Sequence, residues 1–416
     1  MKWFRSPMPA DIRTDILIIG GGVPGLTLSL LLGRVGIQSV LVDPAPLPLI
    51  KDIKEDGRTA ALMQGSLNIL RSIDVWQHCA DISAPLQTLR IIDDKDRAHP
   101  EPLLVDFKAD EIGMESFGYN IPITALRAHL AKAVTDNKVI TFYQNALANL
   151  SFSDHEVTAK LEDGTAVTAS LVVGADGRKS AVRSLSGIET WERDYGQSAI
   201  TCLLSHTKSH QNISTEFHRP SGPFTLVPMP GNQSSLVWVD KTDAVQDYVA
   251  MSKHAIIRAI QDRSRDMLGE IDLVTSPQSW PLIAIKAKEI TGHRVALMAE
   301  AAHVLSPMGA QGLNLSLRDC AILAETIVDS LRLGLDAGLK TNLRGYEAKR
   351  SFDINSRVIG SDGLTRMVSN DFGLLKTLRR AGLKTLSPHS PLKTFMMQQG
   401  LAPSSDDSRL MQGEVL

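Results

Sequence analysis

Runs of apolar and polar residues divide the chain into segments with different predicted structures. Residues 15–19 form a short apolar run that ends at a glycine, which is typical of a strand buried on both faces of a parallel sheet. A helical pattern follows over residues 26–35, and residues 39–42 form a second apolar run that ends at Asp43. This succession of strand, helix and strand predicts a doubly wound α/β domain at the start of the chain.

The middle of the chain has a different pattern, because apolar and polar residues alternate there between turn signals. Residues 157–161 and 166–173 flank an Asp-Gly pair and predict a hairpin. Residues 190–280 predict antiparallel sheet, with the clearest hairpin over residues 224–239. From residue 313 onward the pattern is mostly helical.

Composition excludes several classes of protein. A length of 416 residues allows two or three domains, and a net charge of -2 gives no reason to expect a nucleic-acid partner. The three cysteines, Cys79, Cys202 and Cys320, are far apart, which predicts reduced, buried thiols in a cytoplasmic protein. Neither a metal-ligand spacing of histidines nor a GxSxG motif occurs, so we expect no metal site and no hydrolase. No signal peptide and no transmembrane segment are predicted.

A glycine fingerprint lies between the first predicted strand and helix. Gly20, Gly22 and Gly25 form GxGxxG, in which they allow a tight turn, a close approach of pyrophosphate and close helix packing, respectively. Pro24 suits the first helical turn, and Asp43 ends the second strand, where it can accept hydrogen bonds from a ribose. The unit predicts dinucleotide binding, and by itself it does not separate FAD from NAD.

Two later segments also deliver a carboxylate from a predicted strand into a loop. The first is GADGRKS, which carries Asp176 and Gly177; alone it reads equally well as an ordinary Asp-Gly turn. The second runs from a strand at residue 295 through Glu300 to a Gly/Pro-rich loop and a long helix. Ligands bind at the carboxyl edge of such sheets, so we expect both loops at a ligand site.

The ordered set GxGxxG, GADGxxSxxR and AAHxxxPxGxQGxN resembles the flavin-dependent aromatic hydroxylases related to para-hydroxybenzoate hydroxylase. Residues 56–62, 195–199, 280–282 and 380–393 are similar to segments of the ubiquinone-biosynthesis hydroxylases within that group. The resemblance covers about residues 15–401.

The resemblance implies FAD as the cofactor and NAD(P)H as its reductant. Asp176 and Gly177 would serve the pyrophosphate and the passage of nicotinamide, and Glu300 would contact the ribityl or phosphate part. The implied catalytic residues are Pro307, Gly309 and Arg58. The predicted FAD-binding residues are Gly20, Gly22, Gly25, Asp43, Arg58, Arg127, Asp176, Gly177, Glu300, Pro307, Gly312, Leu313 and Asn314.

The sequence patterns and the resemblance together predict an α/β fold, which the antiparallel domain makes α+β for the chain as a whole. It would consist of a Rossmann-like FAD-binding domain, an inserted, mostly antiparallel β substrate domain and a C-terminal helical segment. The predicted boundaries are residues 1–74, 111–184 and 286–340 for the first, 75–110 and 185–285 for the second, and 341–416 for the third.

One departure from the family pattern is Ala299-Glu300, where related enzymes usually have Gly-Asp. Glutamate is one methylene longer, and alanine adds a Cβ where glycine allows close approach. We interpret the pair as a tolerated variation. His303, which follows the strand, is expected to be a packed, hydrogen-bonded residue rather than a catalyst.

The resemblance implies hydroxylation of a prenylated phenol or quinone precursor by NAD(P)H and O2, through a C4a-hydroperoxyflavin, in ubiquinone biosynthesis. The antiparallel domain would cover the substrate side of the flavin. Its candidate lining residues are Phe224, Leu226, Pro228 and Trp238, each of which is equally well explained as sheet core.

Two alternatives stay open at this point, a hydroxylase of a small soluble aromatic and a non-catalytic scaffold of a quinone-biosynthesis complex. The basic, amphipathic residues 372–386 suit either an anionic membrane surface or packing on the protein itself, and the second is slightly favoured. Peripheral contact with the inner face of the membrane, contacts with other quinone-biosynthesis proteins and an oligomeric state are therefore compatible with the sequence.

Overall fold

The computed structural model of the protein describes residues 11–93, 102–219, 221–305, 311–368, 393, 394, 397 and 408–416. The strands of these residues are, in chain order, β1 (Asp11–Ile19), β2 (Ser39–Asp43), β3 (Thr59–Met63), β4 (Ala84–Pro85), β5 (Thr88–Asp93), β6 (Leu103–Lys108), β7 (Gly118–Pro122), β8 (Ile140–Gln144), β9 (Leu147–Phe152), β10 (Val157–Leu161), β11 (Ala166–Gly174), β12 (Thr190–His206), β13 (Ile213–His218), β14 (Phe224–Met229), β15 (Gln233–Lys241), β16 (Ile271–Leu273), β17 (Gln278–Ala287), β18 (Thr291–Gly292), β19 (Val295–Leu297) and β20 (His303–Val304).

The helices of the same residues are α1 (Val23–Arg34), α2 (Gln64–Ser72), α3 (Ile123–Asp136), α4 (Ala181–Leu185), α5 (Thr242–Val249), α6 (Lys253–Ser264), α7 (Gln311–Arg332), α8 (Lys340–Val368) and α9 (Arg409–Gln412). Short 3-10 turns span Ile50–Asp52, Trp76–His78, Ala80–Ile82, Ala109–Ile112 and Ala299–Ala301.

The first sheet has a parallel centre in the order β19-β11-β1-β2-β8, and β18, β10 and β9 are added to it in antiparallel fashion. Ile16, Leu17 and Ile18 of β1 have no exposed surface, so both faces of this central strand are covered. α1 packs against α3 and α7 beside this sheet. The carboxyl ends of β19, β11, β1 and β2 therefore lie next to one another along one edge.

The second sheet runs in the order β20-β17-β12-β15-β14-β13-β5-β6 and is antiparallel apart from the β13–β5 pair. A small third sheet, β3-β7-β4, lies close to it, because Thr59 Oγ1 of β3 and Ser235 Oγ of β15 are 2.8 Å apart. β20 joins the two large sheets, since it pairs with β17 directly after the turn that follows β19.

These sheets confirm the predicted fold class. The predicted strand, helix and strand are β1, α1 and β2, and the two predicted hairpins are β10–β11 and β14–β15. The domain boundaries stay a prediction. Among the described residues, no helix combines the length and the apolar character needed to cross a lipid bilayer.

Candidate active site

The glycine turn between β1 and α1 leaves a gap beside Gly22. A Cβ on Gly20, whose φ is +117°, would lie 2.2 Å from Ala175 O, and a Cβ on Gly25 would lie 1.9 Å from Gly20 O. Both glycines are thus required by the packing of the protein itself. Gly22 has φ -75° and ψ 175°, and a Cβ there would meet only Pro24 Cδ, at 3.7 Å. No side chain caps the first turn of α1, so its N–H groups are available to an anion.

Asp43 and Arg127 are both brought to this turn by the backbone of Gly21. Asp43 Oδ2 accepts the Gly21 N–H at 2.6 Å, and its Oδ1 accepts the Ala45 N–H at 2.8 Å. Arg127 of α3 donates its Nε–H to Gly21 O at 2.9 Å. A carboxylate oxygen has a second lone pair, so Asp43 can still accept a hydrogen bond from a sugar hydroxyl.

The loop after β11 holds Asp176 at the same sheet edge. Asp176 Oδ2 accepts the N–H of Val182 at 3.1 Å, whereas the buried Oδ1 lacks a hydrogen-bond partner within the described parts of the chain. Gly177 follows with φ +81°, and a Cβ there would meet no atom within 4 Å. An acceptor in need of a donor and an open glycine stand next to each other, as expected where a polar ligand binds.

Arg183 ties this loop to the turn that follows β19. Arg183 is 7% exposed, and its guanidinium donates from Nη1 to Ala301 O at 2.9 Å and from Nη2 to Arg178 O at 2.8 Å. Arg183 is the last residue of the GADGxxSxxR motif, and the sequence alone gives it no role. Its burial depends on contacts 118 residues away in the chain, which no local pattern reveals.

Glu300 lies in the 3-10 turn Ala299–Ala301, at the carboxyl end of β19. Its carboxylate contacts Arg178, with Nε–Oε1, Nε–Oε2 and Nη2–Oε1 distances of 3.3 Å. Since β19 pairs with β11, these two loops meet directly, and the ion pair between them is partly open to solvent.

The first turn of α7 is fixed to β3 by Asn314. The side-chain amide donates to Ala61 O at 2.7 Å and accepts from Met63 N at 2.9 Å and from Ser66 Oγ at 2.7 Å. A Cβ on Gly312 would meet no atom within 4 Å, and Leu313 is half-buried beside it. Pro307 and Gly309 lie outside the described residues.

Arg58 lies between the small sheet and the second large sheet. It pairs with Asp56 Oδ2, at 2.8 Å from Nε and 2.5 Å from Nη2, and its guanidinium stacks over the Trp280 ring at 4.9 Å. Trp280 Nε1 in turn donates to Thr201 Oγ1 at 3.0 Å. Arg58 thus connects the start of β3 to the face of the second sheet that carries Trp280.

The substrate-lining residues predicted from the sequence lie on the face of the second sheet that is opposite to Trp280. Phe224, Leu226 and Trp238 are buried in a core cluster with Val245 of α5 and Ile256 of α6. Of the two interpretations that the sequence allowed, substrate lining and sheet core, these three side chains therefore fit the second. The alternation of the strands was predicted, but the helices that cover one face of the sheet follow β15 in the chain.

The face that looks toward β3 is formed by the alternate residues. Thr201 lies opposite Val237, Val237 lies opposite Thr225, and Trp280 lies opposite Ala199, so these side chains share one face. Thr201, Thr225, Val237 and Trp280 are half-buried rather than buried. They share this face with Ser235, which contacts Thr59 and Asn120 of the small sheet.

These groups form one connected edge and fit a long dinucleotide such as FAD. Gly22, Asp176 and Glu300 follow the neighbouring strands β1, β11 and β19, and α7 packs on α1 and on the Ala299–Ala301 turn. The open glycines, the uncapped helix and the unpaired Asp176 Oδ1 are features that the fold alone does not require. The described ranges contain no cluster of three or more side chains suited to a metal ion.

Known proteins are similar to the chain over nearly its whole length. The family model described as FAD binding domain matches residues 13–354. The chain is 34% identical to ubiquinone hydroxylase UbiL of Rhodospirillum rubrum, over 97% of the chain and 94% of that protein. It is 27% identical to 3-demethoxyubiquinol 3-hydroxylase of Escherichia coli, over 93% of the chain and 98% of that protein.

A solved structure shares the fold. PqsL of Pseudomonas aeruginosa, described as a probable FAD-dependent monooxygenase, superposes with a TM-score of 0.75 at 20% identity, over 89% of the chain and 99% of PqsL. At this identity the likeness shows the fold alone.

Proposed function

The chain belongs to the FAD-binding-domain family of flavoprotein monooxygenases, and we propose that it hydroxylates the aromatic ring of a prenylated phenol or quinone precursor in ubiquinone biosynthesis. Its cofactor is FAD, its reductant NAD(P)H and its oxidant O2. The observation that carries this function is the end-to-end similarity to ubiquinone hydroxylases, 34% over 97% of the chain in one case.

The residues at the sheet edge have complementary roles toward FAD. Asp43 would accept a ribose hydroxyl, and the N–H groups after Gly22 would bind the pyrophosphate. Asp176, whose Oδ1 needs a donor, would serve the pyrophosphate region, and the Glu300 carboxylate would contact the ribityl or phosphate part. When bound, FAD supplies the oxygen-activating chemistry, and the protein supplies position and electrostatics.

The N-terminus of α7 would face the ring end of the cofactor. Asn314 fixes its first turn, and the positive end of the helix stabilises negative charge on the ring. We assign Pro307, Gly309 and Arg58 to the same end as a proposal. Arg58 lies between β3 and Trp280, where it would act on both ligands.

The substrate ring would lie against the face of Thr201, Thr225, Val237 and Trp280. The indole and the valine exclude water from the reacting carbon, and the two hydroxyl groups orient a phenol. This assignment replaces Phe224, Leu226 and Trp238, which pack in the core with the helices, and Pro228, which lies on the same face of the sheet.

We also propose that the protein works at the surface of the membrane, on the cytoplasmic side, because a polyprenyl tail holds the substrate in the bilayer. Contacts with other quinone-biosynthesis proteins and an oligomeric state fit the same role. The basic segment 372–386, on which the sequence-based expectation depends, lies outside the described residues. The domain boundaries given above are part of this proposal.

The test uses purified protein reconstituted with FAD, NADH or NADPH, and a detergent-solubilised ubiquinone precursor. We expect the precursor to accelerate NAD(P)H oxidation and to yield a product with one added oxygen atom, identified by mass spectrometry. Stimulation by a small soluble phenol alone would refute the substrate class. A colourless protein that cannot take up FAD would refute the enzyme. The intermediate that accumulates in a deletion strain would identify the ring position.

A further inference from the structure

Ala299 has a backbone conformation that alanine rarely adopts. Its φ is +55°, in the left-handed region, and the residue is 4% exposed. Its Cβ is crowded in this conformation, so an alanine stays there only where its surroundings hold it. Glu300 is the next residue, so the direction of the Glu300 carboxylate depends on this strained peptide.

A single buried carboxylate oxygen holds both sides of this turn. Asp319 of α7 has no exposed surface, and its Oδ2 accepts the Ala299 N–H at 2.8 Å. The same Oδ2 lies 2.6 Å from His303 Nε2, which places His303 as the packed, hydrogen-bonded residue that we expected. Residues 299 and 303 bracket the turn, so Asp319 fixes where it begins and where it ends.

Arg350 of α8 balances the charge of Asp319. Its Nε donates to Asp319 Oδ1 at 2.5 Å, and its Nη1 donates to Asp353 Oδ2 at 2.5 Å. Burial by itself would raise the pKa of Asp319, but the charges of His303 and Arg350 and the hydrogen bonds from His303 and the Ala299 N–H hold that pKa below its usual value. An ionised acceptor makes a shorter and stronger bond to an N–H than a neutral one does.

We propose that Asp319 is a positioning residue for the cofactor site, which holds Ala299 left-handed and thereby directs the Glu300 carboxylate to the ligand edge beside Arg178. The inference rests on the proposed use of FAD and adds a role for a fully buried side chain. It also gives a physical reason why alanine is tolerated where glycine would be free of strain: an anionic acceptor fixes the peptide instead.

The test combines Asp319→Asn with Ala299→Gly and measures the Kd of the apoprotein for FAD by quenching of flavin fluorescence. Asp319→Asn should raise the Kd about tenfold, because the turn loses the anion that offsets the cost of a left-handed alanine. Adding Ala299→Gly should return the Kd to within roughly threefold of wild type, because glycine adopts this conformation unaided. Ala299→Gly alone should change the Kd by less than about threefold.

Asp353→Asn is the matched control, since Asp353 also pairs with Arg350 but makes no bond to Ala299. Its Kd for FAD should stay within about threefold of wild type. An unchanged Kd in Asp319→Asn would overturn the inference, and so would a loss that Ala299→Gly does not rescue.

Amide hydrogen exchange of the wild-type protein tests the same contact without a variant, in case Asp319→Asn does not fold. The Ala299 N–H should be protected as strongly as that of Ala296 in β19; exchange at the rate of exposed loops would overturn the inference. A wild-type protein that binds no FAD would refute the proposed function alone, because the protection of Ala299 is measured without the cofactor.

Discussion

Gly22→Ala should strongly weaken FAD binding without disturbing the fold, whereas Gly25→Ala should disturb the fold itself. An alanine Cβ at position 22 meets only Pro24 Cδ, at 3.7 Å, and the φ and ψ of -75° and 175° suit any L-residue. At position 25 the Cβ would lie 1.9 Å from Gly20 O, a backbone atom that cannot move without opening the turn. Gly25 is therefore required by the packing of the protein, whereas Gly22 is required only by the bound cofactor.

The expected changes in stability of the two variants follow from these contacts. Alanine is a poorer N-cap than glycine by a few tenths of a kcal/mol or more, and the gain from a less flexible unfolded chain is about 0.4–1 kcal/mol, so the two effects nearly cancel at Gly22. We expect a Tm within about 2 °C of wild type. For Gly25→Ala we expect a loss of about 3 kcal/mol or more, since overpacking against backbone exceeds the usual cost of about 1–3 kcal/mol.

The assay is differential scanning fluorimetry of both apoproteins, followed by titration with FAD. Gly22→Ala should melt like the wild-type apoprotein and show a Kd for FAD at least about 100-fold higher, because the methyl group occupies the path of the pyrophosphate. Wild-type FAD affinity in Gly22→Ala would refute the placement of the pyrophosphate. A Gly25→Ala apoprotein as stable as Gly22→Ala would refute the packing argument.

Three further predictions test the substrate face, the thiols and the acid stability. Val237→Phe should lower kcat/KM for the prenylated substrate at least about tenfold at unchanged Tm, whereas Trp238→Phe, on the helix-covered face, should lower stability by about 1–3 kcal/mol and leave kcat/KM within about threefold. Burial raises the pKa of Cys79 and of Cys202 to about 12 and that of Cys320 well above 9.0, so a thiol reagent should titrate no cysteine of the native protein and all three after unfolding. Burial opposes ionisation of Asp353, but the charges of the neighbouring arginines lower its pKa from 3.8 to about 2. The ionised carboxylate therefore stabilises the folded protein by about 2 kcal/mol above pH 3.8, and this contribution is lost as the pH falls through 2. Acid unfolding curves of Asp353→Asn should lack this pH-dependent loss of stability.

The sheet edge was predictable because parallel strands place all their carboxyl ends together. Once β1, β11 and β19 were recognised as strands, the loops with Gly22, Asp176 and Glu300 had to meet, whatever their separation in the chain. The period of two along β14 and β15 was equally clear. Which face would be covered was not, since both faces carry apolar residues and α5 and α6 come later in the chain.

The buried ionic groups could not be predicted, because their partners are distant in sequence. Asp319 and Arg350 are separated by 31 positions in the chain, on two helices that meet only after folding. A charged residue inside a helical pattern normally indicates an exposed face. The local signal therefore favours the wrong environment, and only the packing of α7 on α8 reverses it.

Two arginines, Arg178 and Arg183, connect the segment after β11 to the turn after β19, and their exposure to solvent decides which of them fixes the geometry. The Arg178–Glu300 pair is 38% and 48% exposed, so water and salt screen it, and an exposed pair of this kind contributes about 0–1 kcal/mol. Arg183 is 7% exposed and donates to the buried Ala301 O and the partly buried Arg178 O. Its removal would leave the buried acceptor unpaired, at a cost of about 1–3 kcal/mol. The buried arginine thus holds the two loops together, while the exposed pair can exchange partners when a charged ligand arrives. The longer glutamate at position 300 is compatible with a rigid site for this reason: the frame does not depend on it.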